Sequence, residues 1–289
     1  MLQFRRLTAA AVAIGALLGG SGAALADGFA VPWQLGMQEP ATQVMDSINS
    51  FHNGLLWTIT FISGFVLTLL VIVMVKFNAR ANPTPSRTTH NTLVEVIWTV
   101  VPVLILSVIA IFSFKLLFLE LQIPAADLTV KATGKQWYWT YSYPDNGKFE
   151  FDSLMVPEDK IDPSKGQMRL LSVDNEMVVP VNKIVRVQTI GNEVIHSFAV
   201  PSFGIRIDAI PGRLNETWFK AEREGMYYGQ CSELCGRNHA FMPIAVKVVS
   251  EQAFKDWVDA ANKRPDWKTA GAERPEPAAL AQAAGTSIR

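Results

Sequence analysis

The sequence is poor in several things at once: it has two cysteines, four histidines, no surplus charge of either sign and no internal repeat in 289 residues. Lys plus Arg and Asp plus Glu number 26 each, so no global field directs the chain to nucleic acid or to a polybasic membrane contact. Two cysteines exclude the disulfide framework that staples small exported domains, leaving at most one bridge. The lack of a repeat excludes a solenoid or propeller.

Charge is also missing locally. From Gly54 to Val75 there is no ionisable residue, and about 22 residues at a rise of about 1.5 Å each cross the hydrocarbon of a bilayer. No acidic residue follows until Glu95, whereas Lys76, Arg80 and Arg87 stand in the same interval with Pro83 and Pro85. A short basic loop without acids is expected on the cytoplasmic side. A second apolar span, Val96 to Phe114, is introduced by the capping residues Asn91 and Thr92 and interrupted by Pro102; Lys115 and Glu120 mark its exit. Both ends of the mature chain then lie outside the cytoplasm. Residues 1–26 agree, with Arg5 and Arg6, an apolar run from Ala9 to Leu18 and small residues up to Ala26: a cleavable signal peptide, too short in its apolar part for a span.

The resulting division is a signal peptide at 1–26, an outer segment at 27–50, membrane helices at 51–78 and 93–119 around a cytoplasmic loop at 79–92, and a β domain at 120–250. An amphipathic helix at 251–263, capped by Ser250, and a structureless tail at 264–289 complete the chain. Leu128–Ala132, Ile184–Gln188, Thr217–Ala221 and Ile244–Val248 alternate as strands between Pro- and Gly-marked turns, the pattern of a sandwich or barrel.

Both cysteines fall in one loop between strands. Cys231, Glu233, Cys235, His239 and Met242 fall within twelve consecutive positions. Thiolate, imidazole and thioether form a soft donor set that suits copper; zinc would have no use for the Met, and a Cys231–Cys235 disulfide would leave His239 and Met242 unexplained. His196 is the candidate second imidazole. One thiolate would suffice for a mononuclear blue-copper site, whereas two thiolates with two imidazoles fit a dinuclear centre better. Glu95, on this reading, is a carboxylate favourably placed at a helix N-terminus or a group on a proton path.

The pattern His196, then Cys231-x-Glu233-x-Cys235-x-x-x-His239-x-x-Met242, resembles the copper A signature of cytochrome c oxidase subunit II. The resemblance extends over Gly134-Lys-Gln-Trp-Tyr-Trp139, Asp208-Ala-Ile-Pro-Gly-Arg213 and the two-span N-terminal half. It implies a two-helix transmembrane hairpin followed by an all-β, cupredoxin-like barrel or sandwich with a short C-terminal helix, in a bacterial inner membrane with the copper domain in the periplasm. It implies two copper ions bridged by Cys231 and Cys235, with His196 and His239 binding one each and Met242 and the Glu233 carbonyl as weak ligands. The Glu233 side chain would reach magnesium or manganese at the interface with subunit I, which alone holds haem. Electrons from cytochrome c would come in through Trp137, steered by Asp174, Glu193 and Asp208, and Glu95 would mark the entrance of a proton channel of the proton-pumping, oxygen-reducing complex. Lys135 and Ser142 depart from the family pattern, where a His and an acidic residue are frequent, and so bear on the charge of the docking face.

Overall fold

The computed structural model describes residues 28–147 and 149–269; the signal peptide expected at 1–26 and the tail beyond 269 lie outside the described residues. Two helices, α1 (Gln43–Lys76) and α2 (Thr92–Leu121), come first. Their apolar windows are unburied, with Phe61, Leu67, Leu106 and Phe118 all more than half exposed. Outward apolar faces along a helix are what a lipid environment requires.

At 34 and 30 residues the helices reach about 50 and 45 Å, well beyond a hydrocarbon core of about 30 Å. The surplus explains why α1 starts at Gln43, ahead of the expected 51. Thr42 is its N-cap: its hydroxyl accepts from the Met45 N–H and donates to the Phe203 carbonyl at 2.8 Å. Val44 and Met45 are buried, so the first turn belongs to the β domain and the rest to the membrane pair. Helix α2 runs through Pro102 without interruption, and Asn91 caps it by accepting from Val94.

The β domain is a two-sheet sandwich. Strands β1 (Leu128–Lys135), β2 (Tyr138–Ser142), β3 (Phe149–Ser153), β4 (Met177–Pro180), β5 (Ile184–Gly191) and β6 (His196–Val200) lead to β7 (Ile205–Ala209), β8 (Asn215–Lys220), β9 (Gly225–Cys231), β10 (Pro243–Val249) and, after the last helix, β11 (Lys268–Thr269). One sheet has the order β11-β3-β2-β1-β5-β8 and the other β4-β10-β9-β6-β7. Strict burial alternation on β1 and β5 turns Val130, Ala132, Val185 and Val187 inward against Phe198, Ile244 and Val246 of the facing sheet.

Helix α3 (Glu251–Ala261), capped by Ser250 accepting from Ala253, buries Phe254 and brings Trp257 to 5.1 Å from the Tyr143 ring. The expected structureless tail does not begin at 264. Trp267 stacks on Phe151 at 4.2 Å and β11 pairs antiparallel with β3, because one large aromatic finds an apolar sheet edge to cover.

Candidate metal centre

The register of the second sheet assembles the site. Strand β6 opens at His196 and pairs with β9, Phe198 opposite Cys231, so the first imidazole and the first thiol emerge at the same end of neighbouring strands. The loop after Cys231 is tied to β6 by the Ser232 N–H, which donates to Ser197 at 3.0 Å. Gly236 turns it at φ +118°, a conformation side chains rarely adopt, and a Cβ there would meet the Trp137 indole at 3.0 Å. A 3-10 turn at His239–Phe241 then delivers Met242 to the start of β10.

These elements bring the six expected groups together. The thiols of Cys231 and Cys235 are free, buried and 3.8 Å apart. Each has its own imidazole: His196 Nδ1 lies 3.9 Å from Cys231 Sγ and His239 Nδ1 lies 3.6 Å from Cys235 Sγ. Met242 Sδ is 3.5 Å from Cys235 Sγ, and the Glu233 carbonyl oxygen is 3.3 Å from Cys231 Sγ. Metal–sulfur bonds of about 2.3 Å and metal–imidazole bonds of about 2.0 Å place two donors of one ion about 3–4 Å apart, the range found for each thiol–imidazole pair.

Electrostatics favour a soft cation. Burial, and then the adjacent Cys231, push the Cys235 thiol up to about 12, so without a metal Cys235 stays protonated and becomes a thiolate only with a cation to hold it. Burial pulls His196 below its ordinary value, opposed by Glu193 and reinforced by His239, which keeps it in the neutral form that ligates. Its Nε2 is buried without a hydrogen-bond partner among the described residues.

The outer residues are placed as follows. Trp137 is half-buried and its indole N–H donates to the Cys235 carbonyl at 3.0 Å. Trp139, Tyr141 and Tyr143 are fully buried and belong to the core. Glu193 lies in the exposed turn between β5 and β6, beside Asn192, whose amide donates to it. Asp208 is opposite Ser197, one residue along from His196. Asp174, shortly before β4, reaches the end of β3, its carboxylate accepting from the Leu154 N–H at 2.7 Å; burial pushes that carboxyl up, against the backbone bonds. All three acids are thus at the His196 end of the sandwich or near it. Ser142 is buried at 7% exposure and adds nothing to a docking face, while Lys135 sits 5.5 Å over the Tyr138 ring. Glu95 is far from this cluster in sequence and element, in the first turn of α2, where its carboxylate accepts weakly from the Asn91 N–H at 3.4 Å.

Two contributors escape sequence reasoning. The Trp139 indole N–H donates to the Met242 carbonyl at 3.3 Å, and its ring meets His196 edge-on at 6.0 Å. Gly134 backs the same imidazole: a Cβ there would fall 2.7 Å from His196 Cδ2. The glycine just ahead of the Trp-Tyr-Trp run is the only signal for either in the sequence, and its meaning depends on which strand lies opposite.

Comparison with known proteins agrees with this geometry. Residues 30–116 match the family model described as cytochrome c oxidase subunit II, transmembrane domain, and residues 128–249 match the cytochrome c oxidase subunit II, periplasmic domain. A probable cytochrome c oxidase subunit 2 of Rickettsia bellii is 53% identical over 233 residues, covering 81% of this chain and 86% of that protein. Cytochrome c oxidase subunit 2 of Zea mays is 47% identical over 235 residues, covering 79% and 90%. A crystal structure of the periplasmic domain of subunit II from Bradyrhizobium japonicum shares 68% identity over 49% of this chain and 98% of that one, with a TM-score of 0.46. Identity above one half across four fifths of the chain, together with buried free thiols beside imidazoles, leads to one conclusion: the chain belongs to the cytochrome c oxidase subunit II family, the copper-site subunit of a haem–copper oxidoreductase complex.

Proposed function

We propose that this chain accepts electrons from cytochrome c at a dinuclear copper centre and passes them to haem in subunit I, which reduces oxygen and translocates protons. One observation carries the dinuclear reading: each buried thiol has a different imidazole beside it, so the donors divide into two sets that share the thiolates. Cys231 and Cys235 would be shared between the two ions, His196 and His239 would hold one each, and Met242 and the Glu233 carbonyl would be weak ligands. Bound copper supplies one-electron redox chemistry. The chain's own part is to hold six donors on a sandwich edge, keep water from the buried thiolates and limit rearrangement between charge states.

Trp137 offers electrons a short route, since its indole is hydrogen-bonded directly to the backbone of a ligand. Asp174, Glu193 and Asp208 add negative charge for a basic donor protein, which speeds encounter more than it strengthens binding. Leu234, 79% exposed, and Phe241, 45% exposed, stand on the metal loop itself and support a partner surface there, assigned to subunit I. The Glu233 side chain reaches magnesium or manganese at that interface, and Glu95 serves proton uptake on the opposite side of the membrane. Lys76, Arg80 and Arg87 support a cytoplasmic loop, and with it a copper domain on the periplasmic face of a bacterial inner membrane.

Copper analysis with electron paramagnetic resonance on the purified full chain tests the reading. The expected result is two coppers per chain sharing one unpaired electron; a single copper with an ordinary localised spectrum overturns it.

A further inference from the structure

A second site lies where the helical pair meets the β domain. A cleft of about 170 Å³ is walled by Gln43 at the start of α1, Pro124 just past α2, Ile184 on β5, Trp218 and Lys220 on β8, and Glu222. Trp218 lies directly across from Arg186 of β5, and the inward burial of Val185 and Val187 puts both side chains on the outer face of the sheet. Trp218 Nε1 and Arg186 Nε are both buried and without a hydrogen-bond partner among the described residues. Of the two, Trp218 lines the cleft, and its donor calls for an acceptor that the described residues do not supply. Lys220, exposed and in no ion pair among the described residues, adds a positive charge. Arg186 is held only loosely, 3.9 Å from Glu216, which also takes the Gln188 amide at 2.7 Å.

The depth of the cleft identifies the acceptor. Apolar side chains stay exposed to the last turn of α2, with Phe118 at 58% and Leu121 at 67%. Pro124 is three residues beyond Leu121, at most about 10 Å of chain, which places the cleft in the headgroup layer, where indoles concentrate.

We propose that this cleft binds the phosphate of one membrane phospholipid with an amino headgroup. The Trp218 N–H donates to a phosphate oxygen, Lys220 balances the charge with Arg186 beside the cleft adding to the positive field, and the headgroup ammonium meets Glu222, the carboxylate in the lining. The acyl chains follow the exposed Phe118 and Leu121. The inference rests on α1 and α2 crossing a bilayer; it does not depend on the copper reading, because its readout is bound lipid.

The test uses the full chain within its oxidase complex, purified in detergent, stripped of lipid and titrated with phosphatidylethanolamine or phosphatidylglycerol under native mass spectrometry. One phosphatidylethanolamine should rebind in preference to phosphatidylglycerol. Lys220→Gln and Trp218→Phe should each weaken it roughly tenfold, about the contribution of one hydrogen bond to a charged group, and Glu222→Gln should erase the headgroup preference. Lys220 and Glu222 are exposed, so their variants test the site even if Trp218→Phe fails to fold. Unchanged affinity in the Lys220 variant, a preference for phosphatidylglycerol, displacement of the lipid by inorganic phosphate, or a photocrosslink from position 220 to a polypeptide instead of lipid would each overturn the proposal.

Discussion

At the scale of single residues, the copper site is defined as much by what backs the ligands as by the ligands. Gly134 has no side chain because the His196 ring occupies that space. Gly134→Ala is expected to displace the imidazole and cost about 1–3 kcal/mol through overpacking; an unchanged copper spectrum together with an unchanged melting temperature would remove that account. The two tryptophans that reach the loop do different work. Trp139 is sealed in the core and holds Met242, whereas Trp137 is half-exposed and bonded to Cys235. Trp137→Phe should slow electron acceptance from cytochrome c while leaving its Kd unchanged, as stopped-flow mixing and a binding titration would read separately. Equal losses in both would make Trp137 a docking residue only. Both tryptophans belong to one aromatic run in the sequence, and period-two alternation does not separate them: all the odd members share a parity, yet Trp137 precedes β2 and escapes the core.

At the scale of elements, the sandwich end is built by short pairings. Strands β6 and β9 meet over Phe198–Cys231 and Ala199–Gln230, and Gly229 next to them presses so closely on the Ala199 carbonyl that no Cβ fits. Far from the metal, α3 and Trp267 cover the aromatic rings of β3. Trp267→Ala should therefore lower stability by about 1–3 kcal/mol, less than for a fully buried tryptophan, without altering copper stoichiometry. Thermal unfolding beside a copper assay checks it, and copper loss at full stability would contradict the division of roles. The sequence reads as a tail here because Trp267 is a lone aromatic among polar residues; only the Phe151 ring that it stacks on and helps to bury makes it structural. The start of α1 is similar. Apolar density identifies the membrane portion, but the first turn from Gln43 is helical because Thr42 caps it and the β domain buries Val44 and Met45.

At the scale of the whole molecule, metal and fold are linked. Folding buries both thiols and brings them beside the imidazoles, and burial pushes the Cys235 thiol up, so its thiolate forms in the folded domain only with a cation to hold it. Copper at a thousandfold excess over its Kd should stabilise the domain by about 4 kcal/mol, read as a rise in Tm on loading and its reversal by a chelator. Identical melting with and without copper would mean that the donors are not brought together by folding.

The sequence by itself determined the two apolar helices, the β character of the rest and the soft side chains proposed as copper donors, because hydrophobic runs, alternation and close spacing of soft ligands are local properties. Tertiary structure alone decided that His196, 35 residues before Cys231, stands beside it, which imidazole serves which thiol, that Ser142 is buried, and that Arg186 and Trp218 leave their donors unpaired at the foot of the domain. These depend on strand register and on which sheet faces which, and register is set by the summed burial of residues far apart in the chain.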